Sequence, residues 1–120
     1  MNDINNRRSE FRIAEQATIF IELQSADFDN SAPANILICN SIDLSANGMQ
    51  IQLDREVPVG SIFRLCVDFS DKYDAVYLVG EVKWLRQDNS GYTIGFELFE
   101  SEQTDIEAWK LMIAKRLSDA

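Results

Sequence analysis

Apolar and polar positions alternate along most of this chain. Between Ala17 and Leu98 the runs ATIFIEL, ILICNSIDLS, MQIQL, SIFRLCVDF, VYLVGEVKWLR and YTIGFEL follow one another, each short and rich in β-branched and aromatic residues. In the first run Ile19 and Ile21 share one face while Thr18, Phe20 and Glu22 share the other; Met49, Ile51 and Leu53 alternate with Gln50 and Gln52 in the same manner. A period of two predicts strands with one buried and one wetter face. The intervening segments SADFDNSAP, ANG, EVPVG and DNSG carry turn chemistry. Six strands joined so closely predict an antiparallel sheet. An open sheet of that size leaves unpaired edges, so a closed or nearly closed barrel is expected, with Gly80 and Gly95 easing the bend.

After Leu98 the period changes. Ile106, Trp109, Ile113 and Leu117 recur at helical spacing behind Thr104-x-x-Glu107, which reads as a capping box. This predicts an amphipathic C-terminal helix from about residue 104, its apolar stripe covering one barrel end. Residues 1–9 hold few apolar side chains besides Ile4. The organisation expected is an N-terminal arm, 1–12, followed by one barrel domain with its helix, 13–120.

Composition narrows the function. A chain of 120 residues with 46% hydrophobic content supports one ordinary core. No stretch approaches the run of about 20 apolar residues that a membrane-spanning helix needs, so a soluble, cytoplasmic protein without membrane insertion is expected. Cys39 and Cys66 lie in apolar, strand-like runs with no C-x-x-C pairing, and the chain has no histidine. Buried, reduced thiols and no metal site follow. A formal charge of -9 argues against a polynucleotide or an anionic membrane as partner. Lack of histidine removes the commonest proton-transfer side chain and every Ser-His or Cys-His arrangement. Catalytic residues and a cofactor are therefore not expected. Carboxylate-only chemistry stays open, but among 20 acidic residues any chosen pair carries little information.

Against that acidity Arg7, Arg8 and Arg12 place three of the seven arginines within six residues. Arg8 and Arg12 stand four apart, on the same side of either a helical turn or an extended arm. Two guanidinium forks can grip phosphate oxygens bidentately or pair with the O6 and N7 edge of guanine, which lysine does poorly. An exposed basic arm is the plain alternative. The run DLSANG supplies Asp43, Ser45 and Gly48 at the junction of the second and third strands. Asp43 and Ser45 share a face of an extended segment, and Gly48 permits a turn with positive φ. A carboxylate can accept from N1 and N2 of guanine and a serine hydroxyl can donate or accept, yet these are also the residues that any hairpin uses. Trp84, with Arg86 two residues along, offers a flat surface for a purine; flanked by Val82 and Leu85, it also reads as core.

In this order, R-x-x-x-R followed about thirty residues later by D-x-S-x-x-G resembles the PilZ family. Gly80, Val82 and Trp84 in a G-x-V-x-W strand, and Gly91, Ile94, Gly95 and Phe96 in the closing strand, extend the resemblance over about residues 7–117. It implies a six-stranded antiparallel β-barrel with a C-terminal helix that binds cyclic di-GMP as a regulatory ligand and performs no chemistry on it. By the family pattern Arg8 and Arg12 would reach ligand phosphates and a guanine Hoogsteen edge. Asp43, Ser45 and the Gly48 turn would contact a guanine from the barrel surface, and Arg7 would influence whether one ligand or a stacked pair binds. The implied partners are cyclic di-GMP and a downstream protein; exposed strand edges or the helix could support a homodimer, though nothing in the spacing demands one. The alternative is a PilZ-like protein-interaction module that binds no nucleotide.

Overall fold

The computed structural model describes residues 11–23, 35–69 and 75–118. Its strands are β1 (Arg12–Ile13), β2 (Thr18–Leu23), β3 (Asn35–Ser45), β4 (Gly48–Leu53), β5 (Ile62–Asp68), β6 (Val76–Asp88) and β7 (Gly91–Leu98), followed by helix α1 (Ile106–Ser118). Going round the sheet, β3, β2, β5, β6, β7 and β4 are hydrogen-bonded in that order, and β4 pairs back onto β3. Every pairing is antiparallel. The six expected strands thus close into a barrel, which leaves no long edge unpaired.

β1 is an addition to the expected six. Arg12, expected at the end of the arm, pairs with Ser45, and Ile13 pairs with Leu44, along the side of β3 that also carries β2. Between β1 and β2 the ladder is broken, and Ser41 fills the break. Its hydroxyl accepts from the Ala17 amide and donates to the Glu15 carbonyl, each at 2.9 Å, while its own amide donates to the Ala17 carbonyl at 3.0 Å. A buried serine is thereby fully partnered, as a polar group in a core must be.

The period-two pattern places the core. Ile19, Ile21, Met49, Ile51, Leu65, Val67, Leu78, Val82 and Ile94 point inward and are essentially inaccessible. Ile106, Trp109 and Ile113 of α1 join the same cluster, with Leu117 packed at its margin, so the helix stripe covers one end of the barrel. The expected capping box does not form. The Thr104 hydroxyl donates to the Ser101 carbonyl inside a preceding turn, and the helix begins after Asp105, whose carbonyl receives the Trp109 amide. The Asp105 carboxylate accepts the Tyr77 amide at 2.9 Å and so pins the helix start to β6. No helix among the described residues is long and apolar enough to cross a membrane.

Two bulges interrupt the alternation. Ile42 is the extra residue in β3, between the pairs Ser41–Ile51 and Asp43–Gln50. Lys83 is the extra residue in β6, between Val82–Phe96 and Trp84–Gly95. A bulge bends its strand and shifts the side-chain phase by one. In β3 the inward residues are Cys39 and Ser41 before the bulge and Leu44 after it; in β6 they are Val76, Leu78 and Val82 before, with Leu85 turned to the core after. Gly80 and Gly95 are points of close approach. A Cβ on Gly80 would lie 3.1 Å from Leu65, and one on Gly95 would overlap the Trp84 ring.

Cys39 is buried, as expected, whereas Cys66 is half-buried on the outer face of β5. Burial pushes the Cys39 thiol up to about 12. The Cys66 thiol is also raised by burial, opposed in part by a hydrogen bond with Tyr77.

Candidate functional site

The phase shifts at Ile42 and Lys83 turn Asp43 and Trp84 to one outer face, while Ser45, in the same phase as Asp43, is enclosed by Arg12 and the Gly48 turn. Had β3 kept the phase of Cys39 and Ser41, Asp43 and Ser45 would face the core; had β6 kept that of Leu78 and Val82, so would Trp84. With the bulges in place Asp43 pairs with Gln50, Gln50 with Gly95 and Gly95 with Trp84. One row therefore crosses four strands on the outer face, spanning roughly 14 Å at the usual interstrand spacing. Trp84 is not core. It is 37% exposed and lies flat over Gly95, where a Cβ would come within 2.2 Å of the indole. Arg86 packs against the ring, its guanidinium carbon 5.7 Å from the centroid.

Arg12 enters this row from β1. Its Nε donates to Asp43 Oδ1 at 2.8 Å and its Nη1 to Ser45 Oγ at 3.3 Å. The buried Ser45 hydroxyl also accepts the Gly48 amide at 3.1 Å and donates to the Gly48 carbonyl at 3.2 Å. The turn is thus closed by the serine side chain, and the same oxygen faces the arginine. Gly48 has no positive φ; the positive-φ glycines among the described residues are Gly60 and Gly91. Glycine is required at 48 for space, because a Cβ would sit 2.6 Å from the Phe96 carbonyl oxygen. The positive φ expected at Gly48 is thus replaced by a requirement for space.

Arg12, Gly48, Gln50, Lys83, Trp84 and Gly95 line one open concavity of about 210 Å³. Lys83, the bulged residue, stands at its rim, 3.7 Å from Glu81 and 3.9 Å from Glu97. The concavity offers a cationic fork, an amide and an indole face, a set suited to a planar anionic ligand. Among the described residues its lining holds no nucleophile paired with a base. Arg7 and Arg8 lie outside the described residues. Gln50 was missed by the motif reading, which treated it as the polar half of an alternation; only the register shows it between Asp43 and Trp84. A larger groove of about 760 Å³ runs elsewhere on the barrel, past Phe20, Glu22, Arg64, Cys66 and Tyr77, and includes none of the motif residues.

A family model described as PilZ domain matches residues 6–114. The chain belongs to the PilZ family. Among solved structures, this PilZ domain resembles the Bacillus subtilis inhibitor of motility MotI/DgrA, with a TM-score of 0.70 and 17% identity over 94% of the chain and 52% of that protein. It resembles YcgR from Escherichia coli, solved in complex with c-di-GMP, with a TM-score of 0.69 and 19% identity over 94% of the chain and 47% of that protein. The isolated PilZ domain of YcgR with c-di-GMP matches with a TM-score of 0.64 and 16% identity, over 91% of the chain and 90% of that domain. The chain spans about half the length of MotI and of full YcgR. No curated protein matches its sequence.

Proposed function

We propose that this PilZ domain is a non-catalytic receptor for cyclic di-GMP that passes its ligand state to a downstream protein. The observation that carries the reading is Arg12 held across Asp43 and Ser45 at one end of a row that ends at Trp84. The arginine fork suits a phosphate or a guanine Hoogsteen edge, the Asp43 carboxylate suits the guanine N1 and N2 donors, and the indole suits a stacked purine. The c-di-GMP complexes of YcgR, which share the fold, supply the ligand class.

In this reading Arg8 joins Arg12 on the ligand, Arg7 influences stoichiometry, and the ligand's two phosphates fix the arm against the barrel. Ordering costs roughly 1–2 kcal/mol per residue fixed. A micromolar ligand supplies about 8 kcal/mol, so only a few residues are ordered unless new packing forms. The rearranged arm and barrel edge are what the downstream protein reads.

Calorimetric titration with cyclic di-GMP, beside Arg8→Ala, Arg12→Ala and a GTP control, tests this. Saturable heat lost in both variants supports the receptor. Absence of heat and of thermal stabilisation at saturating ligand rejects it in favour of a nucleotide-independent interaction module.

A further inference from the structure

Helix α1 is joined to both walls of the nucleotide site. On one side the Trp109 indole, fully buried, donates from Nε1 to the Ser45 carbonyl at 2.9 Å. This bond reaches from the helix to the residue whose hydroxyl closes the Gly48 turn and receives Arg12. On the other side Arg116 Nη1 lies 2.5 Å from Glu15 Oε2. Glu15 sits three residues after Arg12, in the break between β1 and β2, where its carbonyl is held by Ser41.

Phe69 connects the two anchors. It stacks on Trp109 with centroids 6.0 Å apart and 24° between planes, and carries the Arg116 guanidinium on its ring at 4.0 Å. The two paired residues of β1 provide little ladder of their own to fix Arg12. The Arg116–Glu15 pair, with 17% and 35% of its side chains exposed, adds a charge-assisted restraint on that segment.

We infer that Trp109 and Arg116 are positioning residues for the nucleotide site, setting the separation between Arg12 and the Asp43–Ser45 turn through a helix that need not touch the ligand. The inference deepens the receptor reading and rests on it. It also gives the helix a part in the response: a ligand that moves Arg12 or Ser45 acts on the helix through these two bonds.

The test compares Trp109→Phe, Arg116→Gln, Glu15→Gln and the Glu15→Gln/Arg116→Gln double variant with the native protein and with Val67→Ala, a buried core control on β5, outside the four-strand row of the site. Affinity for cyclic di-GMP, the urea midpoint and the Arg12 Nε–H NMR resonance of unliganded protein are recorded for each. Trp109→Phe and Arg116→Gln are expected to weaken binding by about three- to thirty-fold. The double variant is expected to be no worse than Arg116→Gln, since both changes break one bond. The Arg12 resonance should shift in Trp109→Phe and Arg116→Gln but not in Val67→Ala.

Affinity losses that track the urea midpoint across all variants, Val67→Ala included, overturn the positioning role and leave a purely structural one. An unmoved Arg12 resonance overturns it as well. Failure of the native protein to bind sinks the receptor reading instead, while the resonance still reports whether the helix sets Arg12.

Discussion

Arg12 Nε and Asp43 Oδ1 are 2.8 Å apart, joined across 31 residues of sequence. Their side chains are 35% and 22% exposed, so the pair belongs with partly solvated ion pairs, worth about 0.2–1 kcal/mol. That small value matters to function, because a ligand can recruit the arginine at little expense to the fold. Arg12→Ala should therefore leave the urea midpoint nearly unchanged while weakening cyclic di-GMP binding by about 1–3 kcal/mol or more, the value of a good bidentate contact. Arg12→Lys keeps the charge but loses the fork and should recover only part of the affinity. Calorimetry on the three proteins decides the matter; full affinity in Arg12→Lys would reduce the arginine's role to charge alone.

Gly48→Ala separates space from backbone freedom. The residue has no positive φ, so alanine meets no conformational penalty there, but its Cβ falls 2.6 Å from the Phe96 carbonyl oxygen, which belongs to the barrel ladder. Something must move, and overpacking of this kind costs about 1–3 kcal/mol. Because the displaced pieces are β4 and β7, which carry Gln50 and Gly95, both stability and affinity should fall together. Denaturation and titration of the same preparation check it; a stable variant with native affinity would mean that the strands separate freely.

The fold was legible because period-two alternation over six runs and a change to helical period after Leu98 are direct consequences of which faces are buried. Asp43, Ser45 and Gly48 were legible as a motif. What pattern reading could not supply was the phase. Alternation carried forward from Val82 turns Trp84 inward, and the extra residue Lys83 turns it outward instead; nothing in the local composition of VKWLR marks a bulge. The place of Gln50 in the row was hidden for a related reason, since it comes from lying between Asp43 and Gly95 in register, a long-range fact. The Trp109 bond to Ser45 joins residues 64 apart and likewise has no local signal.

Trp84→Ala tests the outward placement. A buried tryptophan truncated to alanine typically costs about 3–5 kcal/mol of stability. On this surface, over Gly95, the loss should be well below that, while binding weakens by about 1–3 kcal/mol if the indole stacks on a base. Fluorescence gives a second readout. Trp84 is 37% exposed at the site and Trp109 is fully buried, so most of the ligand-dependent change in emission should be lost in Trp84→Ala, the remainder reporting Trp109 through its bond to Ser45. Large destabilisation with intact affinity would place Trp84 among the core residues after all.

The two thiols should behave differently toward alkali and toward reagents. Burial holds the Cys39 thiol protonated up to about 12, above its ordinary value of 9.0. A raised folded value means that the native state keeps its proton where the unfolded chain has lost it. The contribution is therefore fully present below pH 9 and disappears as pH rises from about 9 to about 12. Cys39→Ala should flatten that part of the stability profile relative to the native protein, measured by urea denaturation at pH 8 to 11. Cys66 is raised by burial too, but it sits on the outer face beside Tyr77 and is half-buried. In a native-state assay with an aromatic disulfide reagent it should react first, with Cys39 joining only after denaturant is added. Equal rates for both thiols under native conditions would show that the Cys39 region opens readily, and that β2 and β3 are less firmly paired than their register implies.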